Sequence, residues 1–195
     1  MSAGSPDTRT RRPGGRTARL RALVLDAVLA ELVDRGFEGL TVDGVAARSG
    51  VHRTTIYRRW TDIAGLLVDA LHAAAGDDWA PPDTGSLEAD LVELNRQVHT
   101  SLTVQPSVAA AVIAASFRSP QAMAALRAFW SDRYVRCAAI VERAVERGEL
   151  PAGTDPTAVV VASTAPVYHH LVLLGDEMGT AEADAYARSA AAAYR

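Results

Sequence analysis

Residues 41–60 read TVDGVAARSGVHRTTIYRRW, and the fold turns on this stretch. Thr41 precedes Val42, Val45 and Ala46, apolar residues at the three- and four-residue spacing of a short helix, and stands where an N-cap hydroxyl would satisfy a free backbone N–H. Ser49-Gly50 closes that helix with the residue that most readily takes positive φ. A second short helix is predicted from Arg53 to Trp60. Ala46 is small where the two helices must cross closely, and Ile56 is left to bury the inner face of the second. His52, Arg53, Thr54, Thr55, Tyr57, Arg58 and Arg59 then share its outer faces. Two short helices joined by a tight turn let the second lie in the major groove of DNA while the first crosses the backbone. Arginine grips guanine O6 and N7 with two bonds, threonine donates to phosphate or touches a thymine methyl, and tyrosine reaches phosphate from its ring end. Such a density of donors on one short element points to DNA reading rather than to a solvated surface.

Helical periodicity continues on both sides. Upstream, Leu20, Leu23, Val24, Ala27, Val28 and Leu32 predict a one-faced helix from Thr17 that stops at Gly36. Downstream, Asp62 caps a fourth helix carrying Leu66, Leu67, Ala70 and Leu71. Gly76 to Gly85, with Pro81 and Pro82, is the clearest loop. Five more helices are predicted at Leu87–Leu102, Ser107–Phe117, Pro120–Arg147, Thr157–Leu174 and Ala181–Tyr194, separated by Pro or Gly, and no segment alternates as a strand would. The expected fold is all-α, with a flexible basic arm at 1–16, a three-helix helix-turn-helix domain at 17–62 and a helical ligand-binding and dimerisation domain at 63–195.

Charge follows this division. The net charge of −3 argues against bulk coating of nucleic acid, but residues 1–60 carry eleven arginines against six acids, or +5, and the remainder carries −8. All 20 basic residues are arginine. Chemistry that needs a lysine nucleophile, a Schiff base or a phosphate-loop lysine is therefore excluded. No paired carboxylates at motif spacing and no nucleophile beside a base suggest an enzyme. Cys137 is the single cysteine, and the adjacent His169 and His170 would point about 100° apart on a helix, so neither a metal nor another cofactor is expected. No uninterrupted apolar run reaches about 18 residues, which disfavours a membrane span. Asp26 interrupts the apolar stretch after the N-terminal arginines, so an export signal is disfavoured and a cytoplasmic location expected.

The stretch from Leu25 to Leu67 closely resembles the DNA-binding domain of TetR-family transcriptional regulators. Its marks are the Arg-Gly-Phe turn at Arg35 to Phe37, Thr41-Val42, Val45-Ala46-Ala47, Ser49-Gly50-Val51, Thr55-Ile56-Tyr57 and the aromatic Trp60. The resemblance implies a homodimer that binds a palindromic double-stranded DNA operator through helices one to three and holds a small-molecule inducer in the remaining helices. By position in that motif, Thr41, Arg53, Thr54, Thr55, Tyr57 and Arg59 are the implied DNA contacts. Thr54 stands where family members commonly have glycine, and Ile63 where they commonly have lysine near a phosphate. The arginine arm, Arg9 to Arg16, would compensate by tracking phosphates or the minor groove. Gly44 inside the second helix costs about 1 kcal/mol against alanine, with no reason visible in the sequence.

The apolar circumference of Thr157–Leu174 and the alanines of the last helix make those two helices the expected dimer interface, as the resemblance also implies. Asn95, His99, Phe117, Met123, Trp130, Tyr134, Tyr168 and His169 are the aromatic and polar side chains that a mostly apolar ligand pocket would use. The acidic body mildly favours a cationic or neutral ligand. A ligand-responsive repressor is the leading expectation; the alternative is an activator or architectural DNA-binding protein without a ligand.

Overall fold

The apolar period upstream of the quoted stretch forms α1 (Gly14–Arg35), which opens three residues before the expected Thr17. The computed structural model describes residues 14–74, 76 and 79–195, excepting the side chains of Gly14 and Arg16. The expected arm therefore lies outside the described residues, apart from the first residues of α1. Val24, Leu25, Ala27, Val28 and Leu32 form the buried stripe of α1. Gly36 ends it with φ +66° while its N–H donates to the Leu32 carbonyl.

Next come α2 (Val42–Ser49), α3 (Arg53–Arg59) and α4 (Ile63–Ala74). Their Val45, Ile56, Leu66, Leu67 and Ala70 meet the α1 stripe in one core, joined by Val51 and Trp60. Each large apolar side chain buried there contributes about 1.5–3 kcal/mol. Val112 and Ala125, from the body, belong to the same core, so the head is seated on the body rather than tethered to it.

The body consists of α5 (Leu87–Thr103), α6 (Val108–Ser116), α7 (Pro120–Glu146), α8 (Pro156–Tyr168), a π-helical segment (His169–Leu174) and α9 (Thr180–Tyr194). No strand occurs among the described residues. Ser86, Ser107, Ser119 and Asp155 cap the N-termini of α5 to α8, each side chain accepting a backbone N–H. Leu87, Leu91, Leu94, Ile140, Val141, Val159, Val160, Ala187 and Ala191 form a second core among α5, α7, α8 and α9. Asp90 is fully buried at the start of α5, where its Oδ1 accepts the Thr84 N–H at 2.6 Å and the Thr84 hydroxyl at 2.7 Å. That ties the interhelical loop onto the bundle.

One expected helix changes character. Thr157–Leu174 is not a single α-helix, because Pro166 has no N–H to give and its ring crowds the preceding turn. The chain widens into a π-helical turn from His169, and Gly175 ends it with φ +70°. Pro156–Leu174 is long enough and apolar enough on average to cross a membrane, although polar residues interrupt it and no uninterrupted apolar run of that length occurs. Its inner face instead packs against α5, α7 and α9.

Candidate nucleic-acid interface

The turn between α2 and α3 is built as the residue types require. Thr41, extended at φ −129°, accepts the Gly44 N–H at 3.0 Å through Oγ1. Gly50, at φ +68°, closes α2 with its N–H on the Ala46 carbonyl. Val51 is buried and His52 caps α3, its Nδ1 accepting the Thr54 N–H at 3.4 Å and lying 3.0 Å from the Thr54 hydroxyl. Both side chains were expected on the outer face. They are exposed there, but they also start α3.

Ile56 is 1% exposed and seats α3 in the core it shares with α1, α2 and α4, while the next residue, Tyr57, is 55% exposed. Thr41, Arg53, Thr54, Tyr57, Arg58 and Arg59 all face solvent, and Thr55 is half-buried. Arg53 lies 3.7 Å from Asp43 at the start of α2, a loose exposed pair that a phosphate or guanine edge can displace. Arg59 sits over the Trp60 ring at 5.3 Å, and Trp60 is itself anchored by Nε1 donating to Asp69 at 2.8 Å. Ile63 begins α4 without a donor, and the adjacent Asp62 is spent accepting the Gly65 N–H at 2.8 Å.

Behind this surface, the angle of α2 is set by a buried carboxylate. Glu31 of α1 accepts Arg48 Nε at 2.7 Å, and Arg48 Nη2 donates to Asp34 at 2.6 Å, which raises the Arg48 pKa further through both bonds. Nothing in the spacing of these residues advertised that role.

In the body the expected ligand residues separate into three groups. Asn95 and His99 are buried and already occupied: Asn95 Nδ2 donates to the carbonyls of Ser163 and Ala183 at 3.0 and 2.8 Å, its Oδ1 accepts the Ser163 hydroxyl at 2.9 Å, and His99 Nε2 lies 2.7 Å from the Met178 carbonyl. Phe117, 69% exposed, and His169 project outward, and Met123 is half-buried near the start of α7. Trp130, Tyr134 and Tyr168 do come together: Trp130 stacks on Tyr134 at 5.6 Å and meets Tyr168 edge-on at 5.4 Å. Burial pushes both tyrosine pKa values up and holds the neighbouring Cys137 thiol at about 11. Arg133, absent from the expected set, lies over the Trp79 ring at 3.6 Å and 5.1 Å from the Phe129 ring, which meets Trp130 edge-on at 5.7 Å.

Comparison with known proteins agrees with this geometry. Residues 24–70 match the family described as bacterial regulatory proteins, tetR family, and residues 81–190 match the tetracyclin repressor-like C-terminal domain. The HTH-type transcriptional regulator AqdR of Rhodococcus erythropolis is 32% identical over 90% of this chain and 85% of its own. The DNA-binding transcriptional repressor TetR of Mycobacteroides abscessus is 30% identical over 79% of this chain and 83% of its own. Among solved structures, the TetR family transcription regulator SCO0332 superposes with a TM-score of 0.72 at 28% identity, covering 91% of this chain and 99% of that one. FadR of Bacillus subtilis, solved with stearoyl-CoA, shares the fold with a TM-score of 0.67 at 13% identity over 89% of this chain and 99% of its own. With matches spanning both the helix-turn-helix and the helices that follow it, the chain belongs to the TetR family of DNA-binding transcriptional regulators.

Proposed function

We propose that this regulator is a homodimeric repressor that binds a palindromic operator and releases it on binding a small molecule. The observation that carries the reading is the outer face of α3, where Arg53, Thr54, Tyr57 and Arg58 are exposed on a helix locked by Ile56. Thr41 and Arg59 flank them, while Thr55 and the capping His52 complete the proposed contact set. One head reads one half-site, and a twofold partner supplies the other about 34–36 Å away. The chain would act in the cytoplasm, where its DNA is.

The dimer reading is supported by the outer side of α8 and α9. Val161, Ala162, Ala165 and Leu173 are exposed, only 28% of the apolar stretch containing them is buried, and Ala181, Ala185, Ala192 and Ala193 are exposed on α9. An apolar face of this kind is costly in water and marks an interaction surface.

Coupling between ligand and DNA would run through α4. Its Leu66, Leu67 and Ala70 lie in the head core, and near its C-terminal end His72 packs on Phe129 of α7 at 5.4 Å. A ligand that shifts α7 moves α4, and the head with it; it need only bind the released state better than the DNA-bound one. Gel shifts on the DNA upstream of the gene, with and without candidate ligands, test the reading together with light scattering. A dimer that retards a palindromic fragment and lets it go with ligand is expected. A monomer of 20.6 kDa that retards nothing would overturn it.

A further inference from the structure

We propose that the aromatic cluster between α7 and α8 binds an aryl carboxylate, with Arg133 as the seat of the carboxylate group. This inference rests on the ligand-responsive reading above and names the class of ligand.

Arg133 is the unusual arginine of the body. Arg96 and Arg136 are hydrogen-bonded to Asp184 and Asp132, and Arg143 and Arg147 reach Asp83 and Glu149. Arg133 is half-buried and has no hydrogen bond or ion pair among the described residues; it lies on the Trp79 ring, with Cζ 3.6 Å from the centroid, and 5.1 Å from that of Phe129. Asp132, its neighbour in the chain, is directed to Arg136 at 2.8 Å and His72 at 3.7 Å.

A guanidinium carries its N–H donors in one plane, where they form the fork that a carboxylate fits with two bonds, and contact of its Cζ with an indole uses none of them. Burial also depresses the pKa of Arg133, the mark of a charge removed from water without a counter-ion. An arriving anion would supply that counter-ion.

The surroundings choose between anions. Tyr134, Tyr168 and the Trp130 indole N–H have no hydrogen-bond partner among the described residues, and burial keeps both phenols protonated, so the site offers donors to match a carboxylate. The neighbouring side chains are flat rings stacked and edge-on to one another, which would orient an aryl group by offset stacking or edge contact and give an acyl chain no such direction. The electrostatics thus run opposite to the net charge of the body: the half-buried group beside the rings is a cation although the body carries −8.

Calorimetry on the full chain with naphthalene carboxylate, its neutral amide and its aminomethyl analogue tests the proposal. The carboxylate is expected to bind at least about tenfold more tightly than the amide, as for a desolvated hydrogen-bonded charge pair, and the amine not measurably. Arg133→Gln should bring the carboxylate to the level of the amide. Equal affinity for acid and amide in the unmodified chain would overturn the assignment without requiring the variant to fold, and so would an acid preference that survives R133Q. Tighter binding of hexadecanoate than of the aryl acid would overturn the choice of aryl group. Operator release is measured separately: if a neutral compound releases DNA while the acid has no preference, the anion site falls and the ligand-responsive reading stands. If the acid binds with the expected preference but leaves the DNA complex intact, the site stands and that reading falls.

Discussion

Glu31 of α1 and Gly44 of α2 are fitted to each other: a Cβ placed on Gly44 would come within 2.8 Å of Glu31 Oε2 and 3.2 Å of Thr41 Oγ1. This accounts for a glycine in the first turn of α2. The Glu31 side chain is only 3% exposed and is held by Arg48 at 2.7 Å and Arg35 at 3.4 Å, so its carboxylate has little freedom to withdraw. Helix propensity alone makes Gly44→Ala a gain of about 1 kcal/mol. The packing predicts the opposite sign, a net loss of about 1–2 kcal/mol in urea unfolding from the overpacked contact. A more stable G44A variant would mean that the carboxylate does not set the approach of α2 to α1.

Asn95 is predicted to matter for stability and not for ligand choice. Its amide satisfies two backbone carbonyls on α8 and α9 and the Ser163 hydroxyl, all buried. Asn95→Ala leaves those groups unpaired and should cost on the order of 2–3 kcal/mol. Ranking a panel of ligands against N95A checks this: an altered ranking at undiminished stability would return Asn95 to the pocket.

The bond between α5 and α9 carries a pH signature. The Arg96 guanidinium, 2.9 and 2.7 Å from the two Asp184 oxygens, holds that carboxyl below its ordinary pKa. A depressed carboxyl contributes stability that is present above the unfolded value of about 3.9 and lost as pH falls through the folded value. The wild type should therefore melt above Asp184→Asn near neutral pH, with the gap closing below about pH 4. Melting curves whose separation stays unchanged well below that pH would remove the ion pair from the account.

Cys137 is buried, and its thiol is pushed up to about 11, so almost none is thiolate at mildly alkaline pH. A disulfide reagent at about pH 8, near the pKa of a free thiol, should label the native chain slowly and the urea-unfolded chain at once. Rapid labelling of the native chain would mean that α7 and α8 part readily at this position.

The helix-turn-helix was legible because its signals are local. Thr41 and Gly50 each act within four residues along the chain, through a cap and a turn, and Ile56 is the apolar residue in an otherwise polar helix. The dual part played by His52 was missed, since histidine is a less usual cap than serine or aspartate. The body was readable as helices but not as a site. Asn95 and His99 look like pocket polar groups from their spacing on α5, and only contacts 68 to 88 residues away show them occupied. Arg136 has a partner legible in the sequence, Asp132 one turn back, whereas Arg133 takes its character from Trp79, far from it along the chain. Phe117 had hydrophobicity in its favour, but it follows the last residue of α6, where the chain turns outward. Pro166 was visible, yet its effect on the following turn depends on how α8 is held by its neighbours.

The central claim is that the outer face of α3 reads DNA, and fluorescence anisotropy on a palindromic fragment from the upstream region tests it most directly. Arg53→Ala and Tyr57→Ala should each lower specific affinity by about tenfold or more while the circular dichroism spectrum stays that of the wild type, because both side chains are exposed and outside the core. Undiminished specific binding by the doubly substituted chain would contradict the assignment of α3 as the recognition helix.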